Sequence, residues 1–473
     1  MSFPRYAEYK DSGVRGLGPV PAGWHVRPLK ALASCNDEVL PEGTDPEMLI
    51  EYVEISGVTE GQGIVETASM SFGAAPSRAR RIVRDGDVLI STVRTYLRAI
   101  ATVSQPPERL IASTGFAVVR PRAVLPRFLG YMLHCEFFMS EVIARSVGIS
   151  YPAINASELM ALKGPVPSTD EQAAIAAFLD RETAKIDALV EEQMRLIELL
   201  KEKRQAVISQ AVTKGLDPNV PMKDSGVAWL GQVPAHWPVK RLKDHGALVG
   251  GAGFPHEHQG RDDKALPFYK VASLDADSDG RFMSSTHHTI SPETAAVLRA
   301  AIVPSGAILW AKIGAALMLN RRRITTVPCC IDNNMTAYLP GEDISTEWAY
   351  YWTSLLDLGQ FANPGAVPSL SEGYQATLPL LVPPPREQAE IAGHIDAQTA
   401  AMESLSAEAI AAVELLQERR SALISAAVTG KIDVRGLGHR PHGDELPSRH
   451  DESHDLQCER SNAGAHHVAH HRQ

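Results

Sequence analysis

Cysteine is scarce. The 473 residues hold five, Cys35, Cys135, Cys329, Cys330 and Cys458, with none of the spacings that build a disulfide framework or a zinc site. A reducing cytoplasm is therefore the expected compartment. No apolar run approaches the roughly 18 residues of a membrane-spanning helix, so no membrane partner is expected. The polar opening MSFPRYAEYKDSG has no stretch resembling the apolar part of a signal peptide. Catalytic signatures are missing too. Gly430-Lys431 lacks the upstream glycine and the following Ser or Thr of a phosphate-binding loop. No His, Cys and carboxylate grouping has metal-ligand spacing, so neither a catalytic residue nor a metal site is expected.

What remains is ordinary globular material. Apolar residues make up 44% and charged residues 22%, enough to bury several cores and to exclude a wholly disordered chain. The length suggests two or three domains. The net charge of −10 counts against a dedicated nucleic-acid binder, but it averages over regions that differ sharply.

The chain repeats itself. KDSGVRGLGPVPAGWHVRPLK (10–30) and KDSGVAWLGQVPAHWPVKRLK (223–243) share 14 of 21 positions at an offset of 213. PVPSTDEQAAIAAFLDRETAKID (165–187) answers VPPPREQAEIAGHIDAQTAAMES (382–404), and KEKRQAVISQAVTKGLD (201–217) answers QERRSALISAAVTGKID (417–433), both best aligned at 216. Between them GDVLISTVR (86–94) pairs with GAILWAKIG (306–314), and IASTGFAVVRP (111–121) with IDNNMTAYLPG (331–341), at 220. Frame and flanks are kept while the middle drifts, as in a scaffold that carries a variable recognition surface.

Residues 170–213 contain neither Gly nor Pro. Their apolar spacing fits a heptad with one set at Leu179, Ile186, Gln193, Leu200 and Val207 and a second at Ile175, Glu182, Leu189, Leu196 and Lys203. The second copy gives Ile395, Met402, Ala409, Leu416 and Leu423, with Ile391, Leu405, Ala412 and Arg419. A single stripe does not stabilise a helix of this length alone, so each copy is the expected partner of the other. An antiparallel pairing is expected, with Ile186, Leu189, Leu196, Leu200, Met402, Leu405 and Leu416 as the packing or subunit-docking residues. Ordinary helices packed on the globular domains are the alternative.

The diverged middles read as mixed α/β. Residues 51–58, 81–92 and 115–121 are strand-like, with a turn at Asp85-Gly86, while 127–144 and 346–361 read as helices. Residues 71–127 carry ten Arg against three acids, and residues 294–331 carry four Arg and one Lys with no acid. The two stretches occupy equivalent parts of the repeats. Arginine suits bidentate contact with guanine edges and phosphates, so Arg78, Arg80, Arg81, Arg84, Arg94 and Arg98 in the first repeat are DNA-binding candidates. Lys312, Arg321, Arg322, Arg323 and Asn333 are their counterparts in the second. For any one arginine, a solvated or ion-paired surface is the plainer reading. Asn363-Pro364-Gly365-Ala366 lacks the second proline and the aromatic that clamp a flipped base in amino methyltransferases, and GGAGFP (250–255) reads as a turn.

The duplicated KDSGV…LG…VP…W…LK motifs, the DEQ and REQ helix starts and the two long helices resemble the specificity subunit of type I restriction-modification enzymes, over about 430 residues. One departure is Gly16 where the second motif has Trp229. The resemblance implies an α+β protein of two pseudo-symmetric mixed α/β target-recognition domains separated by an antiparallel pair of long helices. It divides the chain into a lead-in motif at 1–30, the first recognition domain at 31–165, the central helical spacer at 166–222, a second lead-in motif at 223–243, the second domain at 244–382 and the C-terminal helical spacer at 383–433; the remaining 434–473, His-rich and without apolar periodicity, is expected to be a disordered tail. It further implies a non-catalytic subunit that reads a split site on double-stranded DNA and docks two modification subunits, with restriction subunits joining. S-adenosylmethionine, ATP and Mg²⁺ would belong to those partners and no cofactor to this chain. A protein-only coiled-coil adaptor, or a fused nuclease or methyltransferase, are the alternatives; the Arg-rich strands oppose the first and the missing cofactor loops the second.

Overall fold

The computed structural model describes residues 3–275, 280–283, 286–363 and 365–437. They form two compact units, one made of the chain up to Ala184 together with Arg419 onward, the other of Lys185–Glu418. No helix among the described residues is long and apolar enough to cross a membrane.

The first unit contains strands β1 (Ala33–Cys35), β2 (Leu49–Val53), β3 (Ala68–Ser71), β4 (Ala79–Ile82), β5 (Val88–Ser91), β6 (Ile100–Thr102), β7 (Leu110–Ser113) and β8 (Phe116–Pro121). One sheet has the antiparallel order β6-β5-β8-β1. The other runs β3-β2-β7-β4, with β2 and β7 parallel. Strand β5 is buried along its whole length, and alternation sends its side chains two ways. Val88 and Ile90 enter a core shared with the helices, whereas Leu89 enters a second core with Val53, Phe116 and Val118. The stretch 81–92, expected to be strand-like with a turn at Asp85-Gly86, is two strands split at that turn, and the two belong to different sheets. The helix expected over 127–144 is likewise two, α1 (Pro126–His134) and α2 (Glu136–Arg145), because Cys135 between them is extended. A short helix α3 (Ala156–Ala161) follows.

The second unit repeats this plan with β9 (Gly246–Gly250), β10 (Leu266–Tyr269), β11 (Phe282–Met283), β12 (Thr289–Ile290), β13 (Ile308–Ala311), β14 (Arg323–Thr325), β15 (Cys330–Ile331) and β16 (Met335–Pro340). Its sheets run β9-β16-β13-β14-β11 and β12-β10-β15, and β10 and β15 are parallel as β2 and β7 are.

Helices α4 (Thr169–Lys214) and the later helix that starts at Pro385 and ends at Val428 have 46 and 44 residues. In the first unit the start of α4 (Ile175, Phe178, Leu179) shares a core with the end of the later helix (Ile424, Ala427, Val428). In the second, the end of α4 (Ile208, Ala211, Val212) shares one with the later helix's start (Ile391, Ala392, Ile395). Each unit therefore holds the two helices in antiparallel sense.

The expected seam is half correct. Leu179, Ile186, Gln193, Leu200 and Val207 are buried or half-buried, but their companions are Thr183, Val190, Ile197 and Arg204, one residue on from the expected set. The later helix repeats the correction with Thr399, Ser406, Val413 and Arg420 beside Ile395, Met402, Ala409 and Leu416. Leu189, Leu196 and Leu405 are exposed. The heptad tolerates a companion three or four residues away, and the polar companions are accommodated by side-chain hydrogen bonds. The Thr183 hydroxyl donates to Leu179 O at 2.7 Å, and Arg204 Nε lies 3.3 Å from Glu403 Oε1.

The repeated Trp and Glu-Gln motifs prove to be one device. Trp24 Nε1 donates to Glu171 at 3.2 Å and Trp237 Nε1 to Glu387 at 2.8 Å, both indoles being buried. The neighbouring glutamines are buried as well. Gln172 donates to Pro167 O and accepts from Leu125 N; Gln388 donates to Pro383 O and Asp343 O and accepts from Ser345 N. Each Trp also meets the far end of the other helix. A Cβ on left-handed Gly430 would stand 3.1 Å from Trp24 and 2.4 Å from Pro21, and one on Gly215 would stand 3.4 Å from Trp237. Where the first motif has Gly16, a Cβ would stand 3.7 Å from the Phe137 ring, while Trp229 sits half exposed against Trp352. The tail drawn from 434 starts too early, since Val434 is buried in the first core and Leu437 packs on it; the rest of the tail lies outside the described residues.

Trp24→Ala should cost about 3–5 kcal/mol, as for a large aromatic removed from a core, whereas Trp229→Ala should cost less than about 1 kcal/mol. Urea unfolding of the two variants checks this; equal midpoints would contradict the assignment of Trp24 as a helix tie.

Candidate nucleic-acid interface

The two arginine-rich stretches are not two basic patches. In the first unit their charge is met by acids from the preceding segment and from α2. Arg78 bonds Glu54 at 2.5 Å and Tyr52 Oη at 3.1 Å. Arg84 and Arg120 converge on Glu38 at 2.8 and 2.5 Å, and Arg120 also chelates buried Asp87. Arg98 forks onto Glu136 at 2.6 and 2.9 Å with Glu60 at 3.6 Å. Arg80 caps Ser77 O and lies over Phe72, and Arg81 is half-buried on β4.

The second unit corrects the candidates further. Arg322 is sealed inside, its guanidinium on the Trp310 ring and donating to Leu356 O at 2.9 Å, to Asn320 Oδ1 and to Arg321 O. Burial holds its pKa below the usual arginine range. Arg323 is buried on β14 and donates to Arg322 O. Neither can reach a duplex: the run Arg321-Arg322-Arg323 turns inward as β14 begins. Arg321 pairs with Asp275, and Lys312 with Glu372 at 2.5 Å.

Three elements converge at the end of the central strand in each unit. In the first, Thr92 N donates to Gly115 O at 2.8 Å, Ile154 N to Thr92 O at 3.0 Å, Arg94 N to Pro152 O at 2.8 Å and Val147 N to Ala153 O at 2.9 Å. In the second, Lys312 N donates to Asn334 O at 2.8 Å, Leu370 N to Lys312 O at 2.9 Å, Gly314 N to Pro368 O at 2.8 Å and Asn363 N to Ser369 O at 2.8 Å. The last three bonds of each set match at the repeat offsets.

This corner unites some of the candidates. Thr114 N donates to Arg78 O, which brings Arg78 and Arg94 to the same end of the first unit. Lys312 and exposed Asn333 meet at the corresponding end of the second. Arg84 and Arg98 are tied elsewhere by their acids. Sequence reasoning missed the loop over 146–153, with exposed Val147, Ile149 and Tyr151. The available signal was Pro152 and Pro368 at the helix-flank offset of 216.

A duplicated scaffold that holds a constant corner and varies what surrounds it has the organisation of a two-module recognition protein. Residues 34–199 match the family model described as type I restriction modification DNA specificity domain. The chain is 24% identical over 278 residues to the MjaX protein of Methanocaldococcus jannaschii, assigned as a type I restriction enzyme specificity subunit. It is 22% identical over 213 residues to the MjaVIII specificity subunit of the same organism. These matches cover 55% and 44% of this chain, and the chain spans 62% and 49% of those relatives' lengths. A solved structure from work on assembly and conformational transition of the type I R-M system shares the fold, with a TM-score of 0.62, 22% identity and coverage of 86% of this chain and 98% of that one. Over residues 34–199 the chain is thus similar to the type I restriction modification DNA specificity domain, and beyond them it resembles type I specificity subunits at 22–24% identity.

The ion network gives the first unit a specific acid response. Hydrogen bonds from Arg84 and Arg120 hold the Glu38 carboxyl down to about 2, against 4.5 ordinarily. A depressed carboxyl pKa contributes stability that is complete above about pH 4.5 and is lost as pH falls through about 2. Glu38→Gln should flatten that limb of the stability profile, read by circular dichroism of acid-titrated protein; an unchanged profile would show that Glu38 is not held by its arginines.

Proposed function

We propose that this chain is the DNA-reading subunit of a type I restriction-modification assembly and is itself non-catalytic. Each unit reads one part of a split site on double-stranded DNA, the paired helices fix the unread gap, and modification subunits dock on the helices. S-adenosylmethionine chemistry belongs to those modification subunits, and ATP- and Mg²⁺-dependent cleavage to restriction subunits. The supporting observation is the duplicated corner: the same backbone clamp is built twice in one chain, around different side chains. One small domain reads only a few base pairs, so two domains on one scaffold add their specificity.

Exposed Leu189, Leu196 and Leu405, left out of the helix seam, supply apolar surface for docking. Replacing Leu189 and Leu196 together by Asp should leave the fold intact and abolish co-purification of the modification subunits; undiminished co-purification would place docking elsewhere.

Mapping methylated bases in the host genome, with and without this gene, tests the function directly. The expected result is one split motif that vanishes on deletion. Extending each helix by one heptad, after Leu200 and after Leu416, adds about 10 Å and should abolish modification of the old site while leaving both half-site sequences unchanged. Full modification of the original site would overturn the role of the helices.

A further inference from the structure

Arg94 occupies a backbone position that its counterpart fills with glycine. Its φ is 53°, in the left-handed region, and the equivalent Gly314 has φ 80°. Both donate the same backbone bond, to Pro152 O and Pro368 O. The clamp therefore requires the left-handed conformation, and glycine adopts it without strain. An arginine there is disfavoured locally, so what keeps it is its side chain.

That side chain is not used for folding. The guanidinium lies 4.7 Å from the centre of the Tyr151 ring, and Arg94 makes no ion pair among the described residues, although the other arginines around it do. Tyr151 itself is exposed, as are Tyr96, Leu97 and Val147, and Ile149 is fully so. The loop that carries them is nonetheless anchored. Val147 and Ala153 exchange backbone bonds at 2.9 and 3.0 Å, and Thr95 Oγ1 meets Ser146 Oγ at 2.8 Å. The result is a firmly based projection with an unpaired cation stacked on an aromatic and an apolar tip.

We propose that Arg94 and the loop over 146–153 form the element of the first unit that enters a groove of the DNA duplex. Arg94, aligned by Tyr151, reads a base edge, and Val147 and Ile149 make apolar contact beside it. The inference rests on the DNA-reading role proposed above. A duplex is the fitting occupant because a stacked guanidinium with free donors suits a guanine edge or its phosphates, and exposed aliphatic groups suit a thymine methyl or a base step. The recurrence of the clamp also fits one ligand type read twice: the anchoring bonds are common, whereas Gly148-Ile149-Ser150-Tyr151 and Gly365-Ala366-Val367 differ, as two different half-sites demand.

The decisive variant is Arg94→Gly, which installs the residue used by the other unit. The full chain, purified with the subunits it assembles with, is offered a randomised duplex pool, and the selected sequences are compared with wild type. Arg94→Gly should keep or raise the melting temperature, keep the second half-site, and lose about 10- to 100-fold discrimination at one base pair of the first. Arg94→Lys should not restore it, because a base edge needs the planar fork. Ile149→Ser, fully exposed and hence without effect on stability, should weaken a neighbouring position. Selection of the wild-type motif by Arg94→Gly with unchanged affinity overturns the proposal, as does a uniform loss at all sequences with a shallower salt dependence, the mark of a phosphate contact alone. Failure of the wild-type complex to select any sequence would instead overturn the DNA-reading role itself.

Discussion

The hydrogen bond between a buried indole and the first glutamate of a long helix is the constraint on which each unit depends. Trp24 holds Glu171 at the start of α4 and lies against Gly430 just beyond the later helix; Trp237 does the same with Glu387 and Gly215. One side chain thus fixes where one helix begins and where the other ends. Neither helix needs intrinsic stability: its ends are set by the globular cores, and the heptad seam has only to be compatible in between. That is why the seam tolerates Thr183, Arg204 and their counterparts.

Charge is organised by the same economy of position. The first unit pairs six of the ten arginines of its basic stretch with acids, using Asp37, Glu38, Glu54, Asp87, Glu136 and Asp180. The second buries two of its three consecutive arginines instead. A chain of net charge −10 that also spends its arginines internally presents little nonspecific attraction to a polyanion, and affinity for DNA is mostly phosphate neutralisation. On the proposed DNA-reading role, binding then rests on specific contacts and on charge contributed by docked subunits.

Much of this was legible from residues. Duplication fixed the two-unit plan because the lead-in and helix-flank blocks keep their spacing. The Trp and Glu-Gln motifs were visible as repeats, although only the fold reveals that they are each other's partners, 147 residues apart in the first copy and 150 in the second. The seam reads one residue out from sequence because Leu189 and Leu196 are as apolar as their neighbours Val190 and Ile197, and composition cannot tell an unpartnered leucine from a packed one. The site was harder. Net charge over a window is a one-dimensional sum, and it missed Glu38 and Glu54, which lie outside the window in sequence yet against it in space. The loop over 146–153 carries no charge run and no glycine-rich signature, so its exposed tip had no sequence signal beyond a proline shared with the other copy.

The first unit is discontinuous in the chain, closed by residues from 419 onward, whereas the second is the contiguous stretch 185–418. During synthesis the order of completion therefore runs against the order of the residues. The second unit can finish while the first still lacks Ile424, Ala427, Val428 and Val434 from its core. Until the helix that ends at Val428 leaves the ribosome, the first unit lacks the apolar side chains that close its core, so its maturation waits on residues made after the whole second unit.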